Sequence, residues 1–247
     1  TTLRFNYGEG YITPTLLQLF TDTAAGRGSI TYGNSDLDAE TSRSYEIGAR
    51  YNAHGLAVDA TGFYTTAEDY IATVRCGTGA PCPTGSTASQ YIYDNVDAAT
   101  TYGIELMAEY TIPGTRFTPY ANGAWMRRKL ELVEFDTFNS NTPELSGRFG
   151  VRHEAVVAGL NLWADLFVRA ATGVKLSSWN ETTASVETDE LPGWATLNFA
   201  FGGPLTADES ATFAVSLNNL TNESYRASFD ELPGIGRSVE VTARMKF

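Results

Sequence analysis

The clearest pattern in the chain has a period of two. At the carboxyl end Val239, Val241, Ala243, Met245 and Phe247 alternate with Ser238, Glu240, Thr242, Arg244 and Lys246. One face of such a strand is wholly apolar and the other wholly polar. Nine further segments read as strands, at about 1–9, 41–52, 55–68, 99–112, 115–132, 144–154, 157–171, 192–202 and 210–220. In the second, Tyr45, Ile47, Ala49 and Tyr51 oppose Ser44, Glu46, Gly48 and Arg50. In the seventh, Leu160, Leu162, Ala164, Leu166 and Val168 oppose Asn161, Asp165 and Arg169. No segment sustains a 3.6 period, and Thr15–Phe20 predicts at most one helical turn.

The connections carry as much information as the strands. Short turns are expected at Asn52–Gly55, Pro113-Gly114, Glu154–Val156 and 202–209. Long connections fall at about 10–40, 69–98, 133–143, 172–191 and 221–236. The two kinds alternate along the whole chain, so long loops collect on one rim and short turns on the other. Transmembrane barrels of the bacterial outer membrane have that asymmetry, with the long loops outside. A soluble sandwich has no reason for it. Arg and Glu on the polar rows (Glu46, Arg50, Glu105, Arg148, Arg152, Arg169, Glu240 and Arg244) then face the lumen. On the lipid side each would cost roughly 2–4 kcal/mol near the midplane. Tyr45, Tyr51, Tyr64, Tyr102 and Tyr110 fall at or near strand ends, where an aromatic girdle belongs.

Composition narrows the functional classes. The 247 residues are 43% hydrophobic and 19% charged, which excludes a disordered chain. The net charge of −12 argues against nucleic acid as a partner. No apolar run approaches the 18 residues or so of a membrane-spanning helix, but a barrel needs none. The amino end lacks a charged and apolar leader, so the expectation is a removed leader or a start inside a longer protein. Cys76 and Cys82 share one Gly/Pro-rich stretch, which points to a small disulfide loop in an oxidising compartment. His54 and His153 both fall near short turns, and no nucleophile–base constellation accompanies them, so neither catalysis nor a cofactor is expected. Asp22, Asp36, Asp38 and Glu40 read as a solvated loop cluster, with contact to a cation or ferric chelate as the alternative. Met126-Arg127-Arg128-Lys129 is basic where the fifth strand meets the outer rim. A solvated strand end, an anionic ligand and lipopolysaccharide phosphate are all open readings for it. Arg127, Arg128 and the loop aromatic Trp179 are the candidate ligand contacts.

Several motifs resemble a known family. Tyr11-Ile12-Thr13-Pro14-Thr15 followed by Leu19 is similar to the "aromatic-x-x-Pro-Thr-x-x-x-Leu" segment of TonB-dependent outer-membrane receptors. Gly33-Asn34-Ser35-Asp36-Leu37 through Glu40 and Ser42, then Tyr45-Glu46-Ile47-Gly48, resembles their "Gly-Asn-Pro-x-Leu-x-x-Glu-x-Ser…Tyr-Glu-x-Gly" run. Ser35 stands there for a usual Pro and Asp38 for a usual Lys. Phe63-Tyr64 with Asp69-Tyr70-Ile71, Gly103-Ile104-Glu105-Leu106, and Asn219-Leu220-Thr221-Asn222 with Tyr225 follow in family order. Phe247 resembles the terminal aromatic read as an assembly signal. The resemblance implies an all-β antiparallel transmembrane β-barrel segment, about ten strands of a 22-stranded barrel, with residues 1–247 as its carboxyl-terminal portion. It also implies partners: the remaining strands and plug domain as a second chain or upstream segment, a TonB-type energy-coupling complex, outer-membrane lipid, and a scarce small-molecule ligand. Ferric siderophore, haem and vitamin all remain open, although residues 21–34 contain no His, which weakens the haem reading. The competing expectation is a self-contained ten-stranded barrel acting as a small pore, adhesin or surface enzyme.

Overall fold

The computed structural model describes residues 1–24, 29–76, 80–86, 90–96, 99–131, 135–180, 183–229 and 231–246. In chain order the elements are β1 (Thr2–Ile12), the helix α1 (Leu16–Phe20), β2 (Thr23–Ala24), β3 (Ile30–Tyr32), β4 (Glu40–Ala53), β5 (Leu56–Glu68), β6 (Tyr70–Arg75) and β7 (Tyr91–Val96). Then follow β8 (Ala99–Tyr110), β9 (Phe117–Glu131), β10 (Asp136–Phe138), β11 (Leu145–Val157), β12 (Leu160–Ala171), β13 (Val174–Asn180), β14 (Ser185–Leu191), β15 (Trp194–Pro204), β16 (Ala211–Asn218) and β17 (Ser238–Met245).

Ten strands form one antiparallel wall in the order β1-β4-β5-β8-β9-β11-β12-β15-β16-β17, and β10 extends it beside β9. These are the ten strands expected, each beside its neighbour in sequence. Among the described residues the wall does not close: β1 pairs only with β4 and β17 only with β16.

Register shows why the pattern has period two. One row crosses the sheet as Phe5, Ile47, Gly62, Ile104, Trp125 and Leu145. Another runs Val151, Leu166, Phe199, Leu217 and Val239. On the opposite face Asp59, Met107, Asn122, Arg148, Arg169 and Thr196 form a single row. Burial is inverted relative to a soluble protein. Ile47 is 68% exposed and Val241 70%, while Asp165 is 2% exposed. Apolar side chains left bare over a whole sheet face require an apolar solvent. Tyr7, Tyr45, Tyr64 and Tyr102 stand side by side in one outward row across four strands. Their rings approach to 5.1 Å (Tyr7–Tyr45) and 6.5 Å (Tyr64–Tyr102).

The short turns have local causes. His54 and Gly55 both have positive φ (54° and 79°), which closes β4 onto β5 in two residues. The turn expected at Glu154–Val156 lies instead at Ala158-Gly159, again with positive φ at both positions (51° and 80°). Glu154 continues β11 on the polar face opposite Trp163. It belongs to the lumen row, with Arg148 and Arg152. In the turn joining β15 to β16, the Asp208 carboxylate accepts from the Thr206 and Ser210 hydroxyls and from the Ser210 backbone N–H, the Ser210 contacts measuring 2.8 and 3.2 Å. These donors, Thr206 foremost, hold the carboxyl down at about 2, against 3.8 ordinarily. The folded turn is therefore favoured above the ordinary value, and the preference fades as pH falls through about 2. Carboxyl carbon shifts should give Asp208 a midpoint near about 2. A midpoint at the ordinary carboxylate value would show that the turn exerts no such hold.

The long connections are more ordered than a loop assignment implied. α1 is capped by Thr15, whose hydroxyl accepts from the Gln18 N–H while the Gln18 side chain accepts from the Thr15 N–H. β2, β3, β7 and β6 form a four-stranded sheet, and β13 pairs with β14 as a hairpin. Phe247, the expected assembly signal, lies outside the described residues.

Candidate functional site

The site has two parts, an inner wall and an outer superstructure. On the inner wall two arginine–carboxylate clusters fix the polar row. Asp59 takes Arg4 at 2.6 Å and Arg50 at 2.7 Å, from β1 and β4 respectively. The second cluster is deeper. Asp165 on β12 accepts from Arg148 on β11 at 2.6 Å and from the Tyr120 hydroxyl on β9 at 2.9 Å. Arg148 Nε donates to the same hydroxyl at 2.9 Å, and its guanidinium lies 3.6 Å over the Phe167 ring. Sequence reasoning placed Arg148 and Asp165 on polar rows but assigned no face to Tyr120 and missed that the three converge. Register supplies the reason: Arg152 stands opposite Asp165, and Arg148 lies two pleat repeats away on the same face, with only Gly150 between them.

The outer superstructure is built from the first two long connections. β3 runs parallel to β7, pairing Thr31 with Tyr91 and Tyr32 with Ile92. Beneath it Val74, Cys76, Ile92 and Val96 form a buried apolar cluster, against which Tyr32, Ala72, Ala80 and Cys82 pack. Cys76 and Cys82 are joined in a disulfide with Cα atoms 5.6 Å apart, as their spacing suggested. The Asn95 side chain clasps three backbone groups, those of Asp38 (N–H and C=O) and the Asp69 C=O, at 2.7–3.1 Å. Two carboxylates of the acidic cluster are spent on backbone donors. Asp22 accepts from the Gly33 N–H and Glu40 from the Ile71 N–H. Among the described residues no group of three or more His, Cys, Asp and Glu is placed to hold a metal ion. The motif at 219–225 is likewise structural: Asn219 accepts from the Glu223 N–H and donates to the Glu223 and Ile235 carbonyls. Tyr225 stacks on Trp194 at 4.4 Å.

The three candidate ligand contacts are dispersed. Arg128 pairs in register with Thr101 on the inner face, and its backbone is held by Asn139. Arg127 pairs with Tyr102 and stands on the outward face, with its guanidinium 4.9 Å from the Phe138 ring centre. Adjacent residues of a strand point to opposite faces, so the two arginines cannot share one ligand surface. Trp179 is carried by the β13–β14 hairpin, opposite Val186.

An open antiparallel wall with bare apolar rows outside, a polar inner face, short turns on one rim and folded loops on the other defines a piece of a transmembrane β-barrel. The chain belongs to the TonB-dependent receptor family: the model of its "TonB dependent receptor-like, beta-barrel" domain matches residues 1–220. It is integral to the bacterial outer membrane. The "Iron-regulated outer membrane virulence protein" of Vibrio cholerae serotype O1 is 29% identical over 205 residues, covering 80% of this chain and 26% of that protein. The chain thus spans about a quarter of the length of the curated relatives it matches. Among solved structures, the Serratia marcescens hemophore receptor HasR, in complex with its hemophore HasA and heme, superposes with a TM-score of 0.74 at 21% identity, over 99% of this chain and 37% of that one. The copper transporter OprC gives 0.73 at 18%, with the same coverage.

Proposed function

We propose that this chain is the carboxyl-terminal wall and part of the outer recognition surface of an energy-coupled receptor that takes up a scarce iron-containing ligand, a ferric siderophore or haem. The observation that carries this reading is the combination of a polar inner face with a folded superstructure above it, built on a wall that lacks closing neighbours. Two strand edges left bare in lipid are untenable, because their N–H and C=O groups find no partner there. The remaining strands and a plug domain therefore belong to the working receptor, and a TonB-type complex acts through that plug. The iron-regulated relative and the heme-loaded neighbour support iron over the vitamin alternative. Arg128 on the inner face and Trp179 on the β13–β14 hairpin are the residues of this chain assigned to ligand contact.

The test is uptake. The intact receptor is expressed in cells stripped of their own iron receptors, with and without the inner-membrane coupling protein, and supplied with radiolabelled iron as siderophore chelates or as haem. Accumulation should require both the receptor and the coupling protein for at least one iron form. Receptor-dependent entry that persists without the coupling protein would identify a passive pore and overturn the proposal.

A further inference from the structure

Above the outer rim one strand has a bare edge. β13 pairs with β14 in the register of β12 with β15, so that Val174 with Leu191 continues Ala171 with Trp194 and the two pairs make one long hairpin. The seven residues of β14 rise roughly 20 Å beyond the wall, and Ser185 through Glu190 are all exposed. The two edges of this extension differ. On the β13 side Ser140 bridges to Lys175, and the Lys175 C=O accepts from the Asn141 N–H at 2.7 Å. On the β14 side no strand pairs among the described residues. β16, the next strand of the wall, ends at Asn218, level with Asn198 and short of β14.

The contact to Asn141 fixes which backbone groups are left over. Lys175 directs its C=O away from β14, so Lys175 and Glu190 form a non-hydrogen-bonded pair. The phase repeats at every second residue. The N–H and C=O groups of Val186, Thr188 and Glu190 therefore point out along the free edge, while those of Glu187 and Asp189 bond to β13. Such a row is a template for another strand, and β14 carries none of the lysine, proline or bulge that blunts an edge. Charge is distributed unevenly about it. Glu190 is paired with Lys175 at 2.7 Å. On the other face Glu187 has only the Asn180 amide, and Asp189 stands opposite Leu176 with no cation beside it among the described residues. Val186 lies on the Glu190 face, 43% exposed and opposite Trp179.

We infer that the free edge of β14 is a strand-addition site for a protein partner that offers an extended basic segment, with Lys or Arg at alternate positions facing Glu187 and Asp189 and apolar residues between them facing Val186. Backbone bonds along the edge supply the affinity, and the two rows of side chains supply the selectivity. A second copy of the receptor is a poor occupant, because it brings another acidic strand to the same edge. The net charge of −12 steers a basic partner in the same sense.

The probe is a fluorescein-labelled Lys-Val-Lys-Val-Lys-Val-Lys peptide, titrated by anisotropy onto the intact receptor in phosphatidylcholine nanodiscs. Two controls accompany it: the same peptide with Glu for Lys, and the basic peptide N-methylated along its length, which keeps the charge but loses the donors. Both should bind at least about tenfold more weakly than the probe. Exchanging Glu187→Gln and Asp189→Asn together should lower affinity about fivefold and remove most of its salt dependence. Thr188→Pro deletes a donor from the free edge and leaves the ladder to β13 in place, so it should lower affinity about tenfold. Hydrogen exchange over residues 185–191 should slow when the probe is added, and it also reports whether each variant keeps the hairpin. If Thr188→Pro loses the hairpin, the N-methylated peptide decides. Equal binding by the N-methylated peptide would reduce the site to charge adhesion and overturn the inference. So would binding unchanged by the variants, or receptor dimers that Thr188→Pro dissolves, which would make a second copy the occupant.

Discussion

Placing Arg at Val241 should destabilise the inserted barrel by about 2–4 kcal/mol, whereas Arg at the adjacent Thr242 should cost less than about 1. Val241 is 70% exposed on the outward face and stands beside Val215, which in turn faces Phe201. An arginine there has only hydrocarbon around it. Thr242 points to the polar side, beside Ala214, where a cation meets water and inner-wall carboxylates. Leu166, 51% exposed between Val151 and Phe199, should behave as Val241 does. Guanidinium unfolding of the intact receptor in bilayers, with the heat-resistant folded fraction as a second readout, measures the difference. Equal costs on the two faces would mean that the sidedness assigned to every strand is wrong.

Truncation of Asp165 to Ala should cost about 2–4 kcal/mol, the largest effect expected on the inner wall. The carboxylate is almost fully enclosed, its side chain 3% exposed, and it satisfies both Arg148 and Tyr120. Removing it leaves a guanidinium pressed on Phe167 with no anion, and a hydroxyl with no acceptor. The Arg4–Asp59–Arg50 cluster looks similar on paper but is more open, with arginine side chains 36% and 67% exposed. Solvent screening should make its loss much the smaller of the two. A double-mutant cycle between Asp165 and Arg148 should show coupling of about 1–3 kcal/mol. Additive single effects would mean that the two side chains are near each other without depending on each other.

The wall was legible in the chain because a sheet with oil on one side and polar groups on the other must alternate strictly, and Val239 to Met245 do. Strand order was legible because each wall strand pairs with its neighbour in sequence. Where the alternation breaks, reading failed: Val156-Val157-Ala158 gives consecutive apolar residues, and the turn there was placed too early, at a charged residue that faces the lumen. The parallel pairing of β3 with β7 joins residues some sixty positions apart, and no local pattern encodes it. The meeting of Tyr120, Arg148 and Asp165 depends on the register of three strands, which hydrophobic pattern fixes only as to face. The split between Arg127 and Arg128 was available from strand geometry alone, but reading the basic run as one patch concealed it.

The joining of β3 to β7 has a bearing on how the exposed part of the receptor varies. Two separate surface loops ordinarily tolerate insertions and deletions independently of each other. Here loss of β7 leaves β3 with β2 alone and removes Ile92 and Val96 from the cluster against which Tyr32 packs. Insertions in one segment are therefore constrained by the other, and an antibody raised against this crest reads a composite of both, a shape that neither peptide reproduces in isolation.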